Sequence, residues 1–328
     1  MAQNSIALKT TMAARPRISR WSVIVLVTSL IGIYLLLPQI QQLRGSIPVL
    51  EHAAIWWIIA GLAMSALSFF AAAYTQYVAG DYIGSFKRIT VLQLTGAFIN
   101  HFLPFNMGSS GLTARYYWTL GKSRIRAVSL SVIPITFGIL THVTAIAIIS
   151  PLTLSHVTQH YFGSSFILWF FVALILLLAI TYLIPPLRRR FMSILREAAD
   201  SFGSIKLRSQ LPGLILGSLA LTVILSIALL FSVYAAHAAI SIIDAFTIFV
   251  TLTVVQNVAP TPGGIGASEA FLVFGLTSVG IILPQAVAAT LIFRFVSFWV
   301  PIIPGILALR KVGQWGLLST SEAAVSRH

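Results

Sequence analysis

Two stretches decide how this chain folds: Asn100-His101-Phe102-Leu103-Pro104-Phe105-Asn106-Met107-Gly108 and Gln256-Asn257-Val258-Ala259-Pro260-Thr261-Pro262-Gly263-Gly264. Each breaks a long apolar run with proline and glycine. Proline removes a backbone donor and glycine resists a helix, so neither 89–121 nor 242–280 forms one straight helix. The two breaks also match each other. Asn100-His101-x-x-Pro104-x-x-x-Gly108 aligns with Gln256-Asn257-x-x-Pro260-x-x-x-Gly264 at a constant offset of 156.

What surrounds the breaks sets the class. Of 328 residues, 58% are hydrophobic and 9% charged, with a mean hydropathy of +0.94. A soluble domain averages about 25% charged residues. The composition excludes a soluble enzyme, a disordered chain and a disulfide scaffold; cysteine is absent, so thiolate chemistry is excluded as well. An all-α polytopic membrane protein remains. Six runs are long enough to span: 21–38, 53–80, 127–150, 166–184, 213–240 and 285–309. The first is too long, and lacks the small-residue cleavage site, for a signal peptide.

Basic residues then test the topology, since Lys and Arg concentrate in cytoplasmic loops. The tail bearing Lys9, Arg15, Arg17 and Arg20 goes to the cytoplasm. Lys87 and Arg88 come out inside, and so must Lys122, Arg124 and Arg126. The run 89–121 therefore enters and leaves on one face. The same reasoning makes 242–280 re-entrant from the outside, which brings Arg310 and Lys311 inside. Arg44 alone falls in an external loop, and Arg115 and Arg294 fall within apolar segments. The expected architecture is about six transmembrane helices plus two re-entrant helical hairpins in an inverted-topology repeat. It divides into a basic tail 1–20, one membrane domain 21–312 and a short cytoplasmic tail 313–328. Within the domain lie repeats at 53–184 and 213–310 and a basic linker 185–212. Such repeats place a substrate site at mid-membrane, between discontinuous helices.

Irregular backbone at membrane depth is tolerated where it lines a cavity or is buried in protein. Pro104, Pro260 and Pro262 with Gly108, Gly111, Gly263, Gly264 and Gly266 are read as the loop backbone of a polar cleft. The alternative is that they only permit close helix packing. The returning half-helices are expected to begin near Leu112 and Ser268, the latter as a cap, with N-termini that favour an anion. Arg115, Glu269 and Arg294 are charged residues in apolar surroundings, each costly unless paired. Glu269 and Arg294 are expected to pair or to share a polar substrate; a structural ion pair fixing helix register is the alternative. Arg115 would meet a phosphate or snorkel to the interface. Asn100, His101 and Asn257 sit beside the breaks. His142 and His237 read as packing residues, and His156 with His160 lacks a third metal ligand. Arg188–Arg190 reads as a stop signal. No P-loop, H-E-x-x-H, dinucleotide fingerprint or nucleophile elbow is present. The chain is therefore expected to be no enzyme, with no catalytic residues, no metal and no cofactor.

Ala259-Pro260-Thr261-Pro262-Gly263-Gly264-Ile265-Gly266-Ala267-Ser268-Glu269-Ala270 resembles the P-G-G-x-G-x-x-E-A motif of the lysylphosphatidylglycerol synthase transmembrane-region family of flippase-like proteins. Arg294-Phe295-Val296-Ser297-Phe298-Trp299-Val300-Pro301 resembles its R-x-x-x-F-W-x-P signature, and Leu103-Pro104 with Gly108, Gly111 and Arg115 is similar to its first element. The resemblance runs from about residue 20 to 312. It implies translocation of a polar or aminoacylated lipid head group across the cytoplasmic (inner) membrane. Arg115 would then attract phosphate, Glu269 bind a cationic group or a proton, and Arg294 balance it. The C-terminal aminoacyltransferase domain of bifunctional members is lacking, so synthesis is not implied. Leu112 replaces the acidic residue that often follows the first loop, and 131–137 lacks the arginine often found there. The expected partners are membrane lipids and not nucleic acid. A homo-oligomer remains open, and so does a role as non-transporting subunit of a lipid-modifying enzyme. A small-solute secondary transporter is the remaining alternative.

Overall fold

The computed structural model describes residues 39–102, 107–153, 207–258 and 262–318, together with Pro185, Arg188 and Met192. The described residues form helices and turns, with no strand among them. In chain order the helices are α1 (Gln39–Glu51), α2 (Ile55–Ala79), α3 (Phe86–Asn100), α4 (Met107–Thr119) and α5 (Arg124–Thr153). After these come α6 (Leu207–Ala235), α7 (Ile242–Val258), a 3-10 turn (Pro262–Gly264) and α8 (Ala267–Ser278). The chain closes with α9 (Leu283–Arg294), a π turn (Phe295–Trp299) and α10 (Ile302–Gln314).

Among the described residues, four segments are long and apolar enough to cross a membrane: Ile55–Ala79, Arg124–Ile148, Ser209–Ala235 and Leu283–Gln314. They coincide with four of the six expected spans. The other two, 21–38 and 166–184, lie outside the described residues, as do most of the linker 185–212 and His156 and His160. Large side chains on the spans, among them Trp56, Leu140, Leu216 and Leu307, are exposed, as a lipid-facing surface requires.

The offset of 156 carries α2 onto α6, α3 onto α7, α4 onto α8, and α5 onto the run from α9 through α10. The repeat visible at two breaks thus extends to four corresponding segments. Its centre is the α2–α6 pair. Gly213 lies against Val78, Gly217 against Thr75 and Tyr74, and Gly61 near the Ala228 carbonyl, so these repeat-related helices run antiparallel. Glycine allows the close approach: a Cβ on Gly217 would stand 3.2 Å from that of Thr75.

Each broken stretch folds as a helical hairpin. In the first, the Ser85 N–H donates to the Tyr116 hydroxyl (3.0 Å) at the base, and Gly96 packs directly on Ser109 near the tip. In the second, α7 and α8 pair through Gly275 on Ile248, with Gly264 against Gln256 at the tip. The hairpins exchange partners, since α3 packs on α10 and α7 on α5. Helix α3 has 15 residues, which at 1.5 Å per residue gives about 22 Å, short of a hydrocarbon core of about 30 Å. Among the described residues, Lys87, Arg88, Lys122 and Arg124 lie close in sequence to the base of the first hairpin, where Ser85 meets Tyr116. Arg88 lies over the Trp315 ring and Arg124 over that of Trp118.

Three expectations are corrected. Residues 39–51, read as an external loop around Arg44, form α1, which packs on α9. Helix α4 starts at Met107 rather than near Leu112, so Gly108 and Gly111 are helical and not loop backbone. The cause is local: Asn100 Oδ1 accepts the Gly108 N–H at 2.6 Å and satisfies a donor of the first turn. Finally α6 ends at Ala235, five residues early, where His237 adopts a φ of 55°.

Candidate functional site

The two hairpin tips meet. A Cβ built on Gly263 would lie 3.8 Å from the His101 Cα. His101 closes the last turn of α3, with Nδ1 2.8 Å from the Ala97 carbonyl. Its Nε2 lies 3.1 Å from the Phe298 carbonyl, in the other repeat. The Phe298 ring is the floor of this junction. The imidazole centroid lies 3.9 Å from its own, and the Arg294 guanidinium carbon 3.8 Å above it.

Phe298 owes its position to the π turn. Pro301 has no N–H and its ring excludes the carbonyl four residues back. The ladder widens instead, with the Val300 N–H donating to the Phe295 carbonyl at 2.9 Å. Such single-turn π bulges commonly mark functional sites.

At the second tip the chain passes through three left-handed glycines, Gly263 (φ 62°), Gly264 (φ 68°) and Gly266 (φ 88°). The turn brings Glu269 into the first turn of α8, where its Oε2 accepts the Gly266 N–H at 2.7 Å. Gly266 is thus the helix cap. Ser268, expected as the cap, lies inside α8, fully buried, with no partner for its hydroxyl among the described residues. The other carboxylate oxygen forms an ion pair with Arg294 Nε at 2.6 Å, and Arg294 Nη2 donates to the Gly263 carbonyl at 3.4 Å. Both side chains are buried. The pairing offsets the cost of burying two charges, and it joins α8, α9 and the glycine turn into one unit.

Between the hairpins lies a cavity of about 440 Å³. Asn100, His101, Ser109 and Ser110 line it from the first hairpin; Gln256, Gly263 and Gly264 line it from the second. Asn100 and Gln256 are repeat equivalents, so each hairpin presents an amide at the same place. Arg294, Ser297 and Phe298 close one side. On another part of the wall, His142 of α5 faces Thr222 of α6 across 3.1 Å, beside Ser218.

The candidate residues therefore divide. Asn100, His101, Gly263, Gly264 and Arg294 stand on the cavity wall, and Glu269 stands behind Arg294. Arg115 is half-buried on α4 beside Tyr116, towards the base of its hairpin, and does not line the cavity. Gly266 is buried in the turn, whereas Gly111 is exposed in the middle of α4. Pro104 and Pro260 lie outside the described residues; Asn257 is in α7 and Pro262 opens the 3-10 turn, their side chains undescribed. By the same offset Glu269 corresponds to Thr113 and Arg294 to Gly138, so the ion pair has no counterpart in the first repeat.

Sequence reasoning missed Phe298, Ser109, Ser110, Ser218 and Thr222. The offset was a usable signal for Gln256. For Ser218 and Thr222 there was none, because serine and threonine within spans usually bond their own helix.

No curated protein matches this chain. A family profile described as the lysylphosphatidylglycerol synthase TM region matches residues 19–305. That match covers both hairpins, the glycine turn and the ion pair, and together with four membrane-length helices it makes the chain an integral membrane protein belonging to the lysylphosphatidylglycerol synthase TM-region family.

Proposed function

We propose that this protein moves a polar lipid head group across the cytoplasmic membrane, through a cleft between two re-entrant hairpins, while the acyl chains stay in the bilayer. The observation that carries this reading is the meeting of the two hairpin tips at a polar cavity beside the buried Glu269–Arg294 pair. The hairpin bases support opposite entry, since basic residues flank that of the first in sequence and the repeat-related central helices are antiparallel. Re-entrant segments plus six spans leave both termini cytoplasmic by the charge rule. Arg294 and the amides of the tips would hold the phosphate as it passes.

The protein acts as a transporter and not as an enzyme in this reading, with membrane lipid as its partner. No nucleotide motif supplies a motor, so movement is downhill or coupled to an ion.

The test is reconstitution of the purified protein into vesicles containing fluorescent phosphatidylglycerol, with a membrane-impermeant quencher added outside. Faster loss of inner-leaflet fluorescence than in empty vesicles, abolished by Glu269→Gln, is expected. Rates equal to empty vesicles would favour the non-transporting subunit instead.

A further inference from the structure

The charges and hydroxyls of the cavity narrow the class of head group, on the reading that a lipid head group enters it. We propose that the site takes an anionic phosphodiester head group ending in neutral hydroxyls, and that it selects against one carrying an added ammonium.

The charge census comes first. The chain has seven acidic residues. Of those described, Glu51 ends α1, Asp81 follows α2, Asp244 opens α7, and none lines the cavity. Glu269 adjoins it but is not on its wall, and its charge is taken up by the ion pair with Arg294. Glu197, Asp200 and Glu322 lie outside the described residues. Among the described residues, then, the wall offers a guanidinium, two imidazoles and neutral side chains, with no carboxylate available to an ammonium. An ammonium brought here would lose its water and gain no counter-charge.

The second observation points to hydroxyls. Ser218 is 4% exposed, lines the cavity, and its hydroxyl has no hydrogen-bond partner among the described residues. The same wall carries the hydroxyls of Thr222 and Ser131, the amide of Gln76 and the imidazole of His142. This is the part built from α2, α5 and α6, where Gly138 stands at the position equivalent to Arg294. The cavity is therefore bipartite. Arg294 suits a phosphate, and Ser218 with its neighbours suits hydroxyls linked to it. A volume of about 440 Å³ accommodates both.

Native mass spectrometry of the protein in detergent tests this with four probes: phosphatidylglycerol, phosphatidylinositol, phosphatidic acid and lysylphosphatidylglycerol. The first two carry the hydroxyls on glycerol or on a ring, the third has the phosphate alone, and the fourth adds the ammonium. Either hydroxyl lipid should be retained at least tenfold better than lysylphosphatidylglycerol. Ser218→Ala should reduce the preference over phosphatidic acid about fivefold, while unchanged phosphatidic acid binding shows that the variant is folded. Gly138→Asp, at a cavity position with open space around a Cβ, should recover lysylphosphatidylglycerol binding. Equal or better binding of lysylphosphatidylglycerol by the unaltered protein would overturn the inference, as would an unchanged preference in Ser218→Ala. Selective binding without movement between leaflets would leave it standing and remove the transport reading.

Discussion

His101 and Phe298 join the two halves of the molecule, with the imidazole Nε2 3.1 Å from the Phe298 carbonyl and the ring centroids 3.9 Å apart. The other nitrogen faces the Ala97 carbonyl at 2.8 Å. Two carbonyls confront one imidazole, which donates to one of them when neutral and to both when protonated. His101→Phe keeps a ring and removes every donor. It should lower stability by roughly 1–2 kcal/mol in thermal unfolding, the worth of one or two hydrogen bonds. His101→Gln restores one donor and should recover about half. Equal losses in the two variants would show that ring packing, and not donation, holds the tips together.

Glu269 and Arg294 predict a different pattern. Removing one partner leaves the other charge buried and alone, which costs roughly 3–5 kcal/mol where a pair is enclosed. Glu269→Leu and Arg294→Met should each reduce thermal stability and yield. The double variant removes both charges and should regain most of the loss, as apolar replacements of buried pairs often do. If the pair is part of the lipid path, the restored double variant still fails to move labelled lipid in vesicles. A double variant that is both stable and active would reduce the pair to a register-fixing contact.

The sequence disclosed the frame of this fold because membrane structure is dominated by a few strong rules. Apolar length located the four described spans, the Pro/Gly breaks with their flanking basic residues located both hairpins, and the offset of 156 related them as a repeat. Where the reading failed, a weaker and more local interaction had decided. One hydrogen bond, donated by the Gly108 N–H to Asn100 Oδ1, supports a start of α4 five residues early, which draws two glycines into a helix. Arg115 could not be placed from composition, since a charged residue in an apolar run is equally consistent with the tip or the base of a hairpin. The hydroxyl wall was invisible for a similar reason: which face of a span meets the cavity depends on how α2, α5 and α6 pack, and their apolar residues are not confined to one face.

Topology is directly accessible because the chain contains no cysteine. Single cysteines at Lys87, Lys122 and Arg310 should all react with an impermeant maleimide from the same side of the membrane, and a cysteine at the exposed Ser241 from the other. Lys87 lies in the first turn of α3, Lys122 just before α5 and Arg310 towards the end of α10, while Ser241 precedes α7. Labelling of Lys87→Cys and Lys122→Cys from opposite sides would make 89–121 a full span and dismantle the repeat.

Gly263 and Gly111, both read from sequence as loop glycines, should respond in opposite directions to the same change. Gly263 sits at a φ of 62°, and an added Cβ would fall 2.6 Å from Phe298 Cζ. Alanine there meets a left-handed backbone costing about 1–2 kcal/mol and a ring that has to move, for about 1–3 kcal/mol more. Because the ring is also the platform for His101 and Arg294, displacement disturbs both tips at once. Phe298→Leu combined with Gly263→Ala should relieve the clash and leave the backbone term, so the double variant should lose less than the two single losses taken together. Gly111 lies in the middle of α4, exposed, with nothing near an added Cβ. Alanine at that position should stabilise by about 0.5–1 kcal/mol through helix propensity. Thermal unfolding of the variants side by side separates the glycine that the turn requires from the one it does not.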